Sequence, residues 1–140
     1  MIEATLALET AIRERLILNS AVSALVPADR IRSGTTRPDS EREPCVLMSN
    51  GMTTLHGYDY TAQRTAWAYL DLHVWTFEAE QDAVKEVAGA VLGALDKRKL
   101  QIEGGYCDHF RATACRFVTD PDPDHGHAVI SVEALIRWFV

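Results

Sequence analysis

No apolar run in this sequence approaches the ~20 residues that a membrane-spanning helix needs, so a spanning helix is not expected. Cysteine is scarce: Cys45, Cys107 and Cys115 make an odd count with no CxxC pair. That excludes a disulfide framework or a zinc knuckle and reads as free thiols in a reducing compartment. Basic residues are in the minority, 14 Lys and Arg against 20 Asp and Glu, for a net charge of −6. A groove that binds nucleic acid by neutralising phosphates should be basic, so this balance counts against such a role. Glu3 and Glu9 interrupt the apolar N-terminus, and no basic flank precedes an apolar core, so a signal peptide is not expected. There is no GxGxxG, no GxxxxGK[ST] and no GxSxG. A phosphate cradle and a nucleophile elbow are therefore not expected.

What is present is an ordinary globular composition, 47% hydrophobic and 24% charged over 140 residues. A chain of that length can bury about two thirds of its unfolded surface and needs no staples to hold a core. Residues 1–140 read as one domain, without internal repeats or low-complexity tracts.

The periodicity predicts a helix over 2–18, where Leu8, Ile12 and Leu16 recur every fourth residue with Ala4, Ala7 and Ala11 filling in. Glu9 and Arg13 are spaced to pair on its wet side. Ser20 is placed to cap a short turn that Pro27 ends. Arg30–Arg32 has the look of a short extended piece. Residues 33–44 are polar, with two prolines and a glycine, and a structureless stretch of that length is long for a compact domain. Residues 45–55 read as a strand in which Gly51 marks a bulge. His56–Asp59 reads as a turn.

Residues 64–77 alternate most clearly. Ala66, Ala68, Leu70, Leu72 and Val74 are expected on one face, and Trp67, Tyr69, Asp71, His73 and Trp75 on the other. The second face mixes aromatic and polar groups, which fits either a protein interface or a smaller covered core. A second helix is predicted over 78–99. Its stripe is Val84, Val87, Ala88, Val91, Leu92 and Leu95, with acidic residues at the start and basic ones at the end. Gly89 and Gly93 lie one turn apart on it and either admit a close neighbour or are tolerated on the surface. Short strands are predicted at 100–102 and 106–119, then a turn through Asp120–Gly126, then a last strand over 127–140 with Ala128, Ile130, Val132, Ala134, Ile136 and Trp138 on one face. The fold class is α+β: a mainly antiparallel four- to five-stranded sheet with two helices packed on one face, in the order α-β-β-α-β-β.

Few groupings carry chemistry. Cys107 and His109, two apart on a strand, should share a face, a spacing too common to mark catalysis. Asp120, Asp122, Asp124 and Gly126 resemble a calcium loop superficially, but His125 and Ser131 stand where that loop requires Gly and Glu. His125 and His127 with Asp124 offer a partial zinc set and would serve a small metal-dependent hydrolase, the weakest of three readings. His56 and His73 stand alone. Arg30, Arg32, Arg37 and Arg42 form a local basic set diluted by Asp39, Glu41 and Glu43, which suits docking to a partner protein better than tracking phosphates.

Taken together, the segments "SALVPADRIRSG", "EPCVLMSNGMT", "LDLHVWTFEAEQDAVKEVAGAVLGALD", "LQIEGG" and "HFRATACRFVTDPD" resemble, in order and spacing over nearly the whole chain, the tail-terminator or tail-completion proteins of siphovirus-like phages and gene transfer agents. The resemblance implies a structural protein without catalytic residues, cofactor or metal. It implies a homo-oligomeric ring, commonly a hexamer, that caps the tail tube and halts its growth. The implied partners are the major tail-tube protein and a head-side connector or stopper, with DNA passing through the ring unread and no membrane involved. The protein would assemble in the host cytoplasm and end at the head–tail junction. The closest competing role is a head–tail adaptor or head-closure protein. Loop length and polarity nominate Arg37, Asp39, Arg42, Glu43, Tyr58, Tyr60, Asp120, Asp122 and Asp124 as contacts, and the aromatic strand face nominates Trp67, Tyr69 and Trp75. Such polar loops predict subunits that are partly monomeric when dilute.

Overall fold

The computed structural model describes residues 3–34, 43–55, 63–77, 81–96, 100–121 and 124–139. Helix α1 (Ala4–Leu18) starts where the Glu3 carboxylate accepts the Leu6 N–H at 3.0 Å. The same carboxylate accepts the hydroxyls of Thr5 and of Thr53, 50 residues away. Burial alone would raise its pKa, but these bonds outweigh it and hold the group at about 2. A four-residue helix α2 (Ser20–Ser23) follows, and its cap is Asn19 rather than Ser20. Asn19 Oδ1 accepts the N–H groups of Ala21 and Val22 at 3.0 and 3.1 Å. A single 3₁₀ turn (Ala28–Arg30) leads into β1 (Ile31–Ser33), which is tied to α1 by Arg13 Nε donating to the Ile31 carbonyl at 2.9 Å.

The other elements are β2 (Cys45–Met48), β3 (Met52–Leu55), β4 (Gln63–Thr76), α3 (Gln81–Leu95), β5 (Gly105–Thr119) and β6 (Gly126–Phe139). They form a six-stranded sheet in the order β1-β2-β4-β6-β5, with β3 also paired to β4. Every pairing is antiparallel except β1 with β2. Parallel neighbours cannot be joined by a tight turn. That gives the long polar connection after β1 a topological reason: the chain must travel back before β2 begins.

β2 and β3 are one strand broken by a bulge against the same edge of β4. Met48 pairs with Leu72 and Met52 with Tyr69, so residues 49–51 face only 70 and 71. Gly51 sits in this bulge as the sequence predicts, and the contact explains it: a Cβ there would lie 2.6 Å from the Tyr69 carbonyl oxygen. β5 carries two further irregularities against β6, between Cys107 and His109 and between Ala112 and Ala114. Each one swaps which parity of residue faces inward, so β5 alternates only loosely in sequence. The segment 100–102 is not a strand. It runs as irregular chain, with Leu100 and Ile102 buried, into a turn where Gly104 takes φ 78°.

The core lies between one sheet face and the helices. Leu8, Ile12 and Leu16 of α1 and Val84, Val87 and Val91 of α3 pack on Leu70, Leu72 and Val74 of β4 and on Ile130, Val132, Ile136 and Trp138 of β6. The inward set of β4 and β6 is the one their alternation predicts. Gly89 and Gly93 are exposed on α3, and a Cβ at either would meet nothing within 4 Å. Gly89→Ala and Gly93→Ala should therefore each raise the unfolding free energy by up to about 1 kcal/mol, read as a shifted urea midpoint. No gain from either would mean that the outer face of α3 is already packed against something.

Candidate functional site

Among the described residues no helix packs on the opposite sheet face. The side chains of β4, β6 and β5 that point away from the core meet there. The register fixes which of them touch: Trp67 stands opposite Leu135, Tyr69 opposite Glu133, Asp71 opposite Ser131, and Trp75 opposite His127. On the third strand Arg111 stands opposite Glu133, His109 opposite Leu135, and Tyr106 opposite Arg137.

At one end of the face lies a mixed aromatic and charged patch. Arg111 Nε donates to Glu133 Oε1 at 2.9 Å, and His109 Nε2 lies 3.4 Å from the same oxygen. The Trp67 ring meets the His109 ring edge-on, with centroids 5.6 Å apart. Trp67, Tyr69 and Leu135 are half-buried rather than covered. Toward the sheet edge, the Arg137 guanidinium donates to both oxygens of Asp108 at 2.7 and 3.1 Å and sits 4.6 Å above the exposed Tyr106 ring. These bonds and the Asp108 charge push the Arg137 pKa up. The bidentate pair holds the guanidinium in a fixed plane. Mid-face, Ser131 Oγ donates to Asp71 Oδ1 at 2.8 Å.

At the other end, Cys45, Leu47 and Trp75 form a small second core with Phe77 packed on it. The His127 ring stacks on Trp75, with centroids 3.7 Å apart and planes 9° from parallel. The His125 ring meets Trp75 and Phe77 edge-on. A nitrogen of His73 lies 2.9 Å from a nitrogen of His127. Burial and the neighbouring His73 push His127 down to about 4, against the opposing pull of Asp120. Burial also lowers His73.

The structure brings Trp67, Tyr69 and Trp75 onto one face, as the alternation predicts. They have different surroundings: Trp75 is only 7% exposed, in the covered end, whereas Trp67 and Tyr69 sit in the open patch. Asp120 is half-buried and Asp124 exposed at the β5–β6 turn. Glu43 is exposed, and its carbonyl accepts Arg30 Nη2 at 3.1 Å. Arg37, Asp39, Arg42, Tyr58, Tyr60 and Asp122 lie outside the described residues.

Several expectations change. Arg30 is buried at 3% exposure and ties the loop end at Glu43 instead of standing in an exposed basic set. Cys107 and His109 do not share a face. The bulge at Asp108 turns Cys107 into the core and leaves His109 outside, with the thiol donating to the His109 carbonyl at 3.2 Å. His73 is not isolated but paired with His127. Among the described residues no three His, Cys, Asp or Glu side chains gather to hold a metal ion, so His125, His127 and Asp124 do not form the zinc set considered above. Burial raises the pKa of all three thiols, Cys45 to about 11, which leaves none of them as a ready thiolate. The Arg111–Glu133–His109 and Arg137–Asp108 groups were not read from the sequence. Their signal is cross-strand register, which exists only once the β5 bulges are placed.

No helix of the described residues is long and apolar enough to cross a membrane. A family model described as Tail completion protein gp17 matches residues 10–137. No curated protein matches the sequence. Among solved structures, a chain of "Virion of native gene transfer agent (GTA) particle" is similar with a TM-score of 0.81 at 16% identity, covering 97% of this chain and 99% of that one. At that identity the likeness concerns the fold.

Proposed function

Since the chain belongs to the tail completion protein gp17 family, and so acts as a structural protein in completing the tail of a phage or phage-like particle rather than as an enzyme, we propose that residues 1–140 work as one domain whose copies close into a hexameric ring. The ring caps the tail tube, stops its polymerisation and offers a docking surface to the head-side connector. The observation that carries this reading is the family match over 10–137. The fold shared with a chain of a gene transfer agent virion supports it.

The open sheet face suits a ring. A closed ring needs two different patches that meet across each subunit boundary, and an interface core is enriched in aromatic residues and arginine. Trp67, Tyr69, Arg111 and Glu133 offer one such patch. The polar segments that hold Arg37, Asp39, Arg42, Glu43, Tyr58 and Tyr60, and the stretch 120–124, offer the other, together with contacts to the tube and connector. The net charge of −6 suits a passage that DNA crosses without adhering.

The decisive experiment deletes the gene and, in parallel, labels the tagged protein on intact particles for electron microscopy. Label at the head–tail junction, with overlong or headless tails in the deletion, is the expected result. Full heads that leak DNA beside free tails of normal length would replace the terminator with a head–tail adaptor. Unlabelled and unchanged particles would end the assembly reading altogether.

A further inference from the structure

The two histidines that meet on the open sheet face are not needed for the packing of the main core, and their geometry has a chemistry of its own. His73 on β4 and His127 on β6 are diagonal cross-strand neighbours, since His127 pairs with Trp75 two residues along from His73. Their facing ring nitrogens are 2.9 Å apart, and their rings lie 26° from parallel with centroids 5.2 Å apart. Both side chains are half-buried. The flat stack on Trp75 holds the plane of the His127 ring.

We propose that His73 and His127 form a two-histidine chelate for a divalent first-row transition-metal cation, with water completing the coordination shell. Zinc–imidazole bonds of ~2.0–2.1 Å at a tetrahedral angle put two ligand nitrogens roughly 3.3 Å apart, so the pair needs to open by only a few tenths of an ångström. The cation takes the place of the shared hydrogen. The donor imidazole moves its proton to its other ring nitrogen, two lone pairs then face the metal, and a neutral pair releases no net proton. Imidazole suits copper, nickel and zinc, with copper bound tightest.

The surroundings favour a bound cation on two sides and oppose it on one. Asp71 on β4 acts on His73, and Asp120 at the end of β5 acts on His127. Arg116 on β5 opposes both. From β2, the apolar Leu47 stands opposite His73. Both rings are held below their ordinary pKa by burial, so the pair is unprotonated and ready to ligate at neutral pH. The ordering energy is already supplied by the sheet, because β4 and β6 are paired along their whole shared length. A cation bridging them reinforces that central pair, in a ring or in a lone subunit, and the proposal does not depend on the assembly role.

The test is calorimetric titration of the full chain at neutral pH with zinc, nickel and copper salts, beside His73→Gln, His127→Gln and the control His109→Gln. One equivalent bound by the wild type, with affinity falling at least ~10-fold in the first two variants and unchanged in the third, is the expected result. Binding that survives both substitutions, or none at millimolar metal, overturns the proposal. Since a substitution could loosen the sheet, paramagnetic broadening is read on the unaltered chain as well. Copper should first broaden the His73 and His127 ring resonances, and broadening that starts at His109 or His125 would also overturn it.

Discussion

Replacing Trp138 by Ala should lower the unfolding free energy by roughly 3–5 kcal/mol, among the largest losses a single core truncation produces. Trp138 is 2% exposed on the inward face of β6, among Ile136, Ala134 and the start of β5 at Gly105. The size of the loss follows from what the indole does there. Its Nε1 is buried without a hydrogen-bond partner among the described residues, so the substitution removes packing and hydrophobic burial but breaks no polar contact. The cavity left behind adds a cost that grows with the volume the neighbouring groups fail to fill on relaxing. Trp138→Phe should cost far less. It leaves a smaller void and also removes a buried N–H whose desolvation is uncompensated. Urea unfolding of both variants tests this. For a chain of this size about 4 °C of melting temperature accompanies each kcal/mol, so Trp138→Ala should melt about 12–20 °C lower. A loss under about 1 kcal/mol would mean that the end of β6 is not part of the packed core.

The second large effect concerns assembly and leaves the fold in place. If Trp67 and Tyr69 anchor the subunit boundary of the proposed ring, Trp67→Ala combined with Tyr69→Ala should reduce its formation and tail completion by at least ~30-fold, as expected when central aromatic anchors worth ~2 kcal/mol or more are truncated. Both side chains are half-buried on the face that no helix of the described residues covers, and the main core contains neither. The isolated double variant should therefore keep its circular dichroism and most of its unfolding free energy. Its main intramolecular loss is the edge-on contact of Trp67 with His109, a pair of the kind worth about 0.5–1.5 kcal/mol. Sedimentation velocity of the purified chains over a range of concentrations and counts of completed particles read the two halves of the prediction separately. A folded double variant that still assembles would move the proposed subunit boundary away from this face, to the polar segment around Arg42 and Glu43 or to residues 120–124. A misfolded one would show that the face belongs to the subunit's own stability.

Much of the architecture was legible because it is written at short range. α1 and α3 announce themselves by apolar spacing, and the inward faces of β4 and β6 by strict alternation, since a half-buried strand or helix must repeat its hydrophobic residues at its own period. Gly51 could be read as a bulge because a glycine interrupting a strand pattern usually marks close backbone approach. The loose alternation of β5 was visible, but its meaning was not. Two extra residues flip the inward parity twice, and a sequence pattern does not say where a partner strand slips. The same slip separates Cys107 from His109, which plain alternation puts together.

The sequence by itself determined the composition of the core, the identity and order of the main elements, and the aromatic face of β4, because those depend on residues a few positions apart. Only the tertiary structure decided which polar groups meet. His73 finds His127 across 54 residues, Arg111 finds Glu133 across 22, and Arg30 turns inward to hold Glu43. Register between strands selects those partners, and register is set by the joint packing of the whole sheet rather than by any one strand.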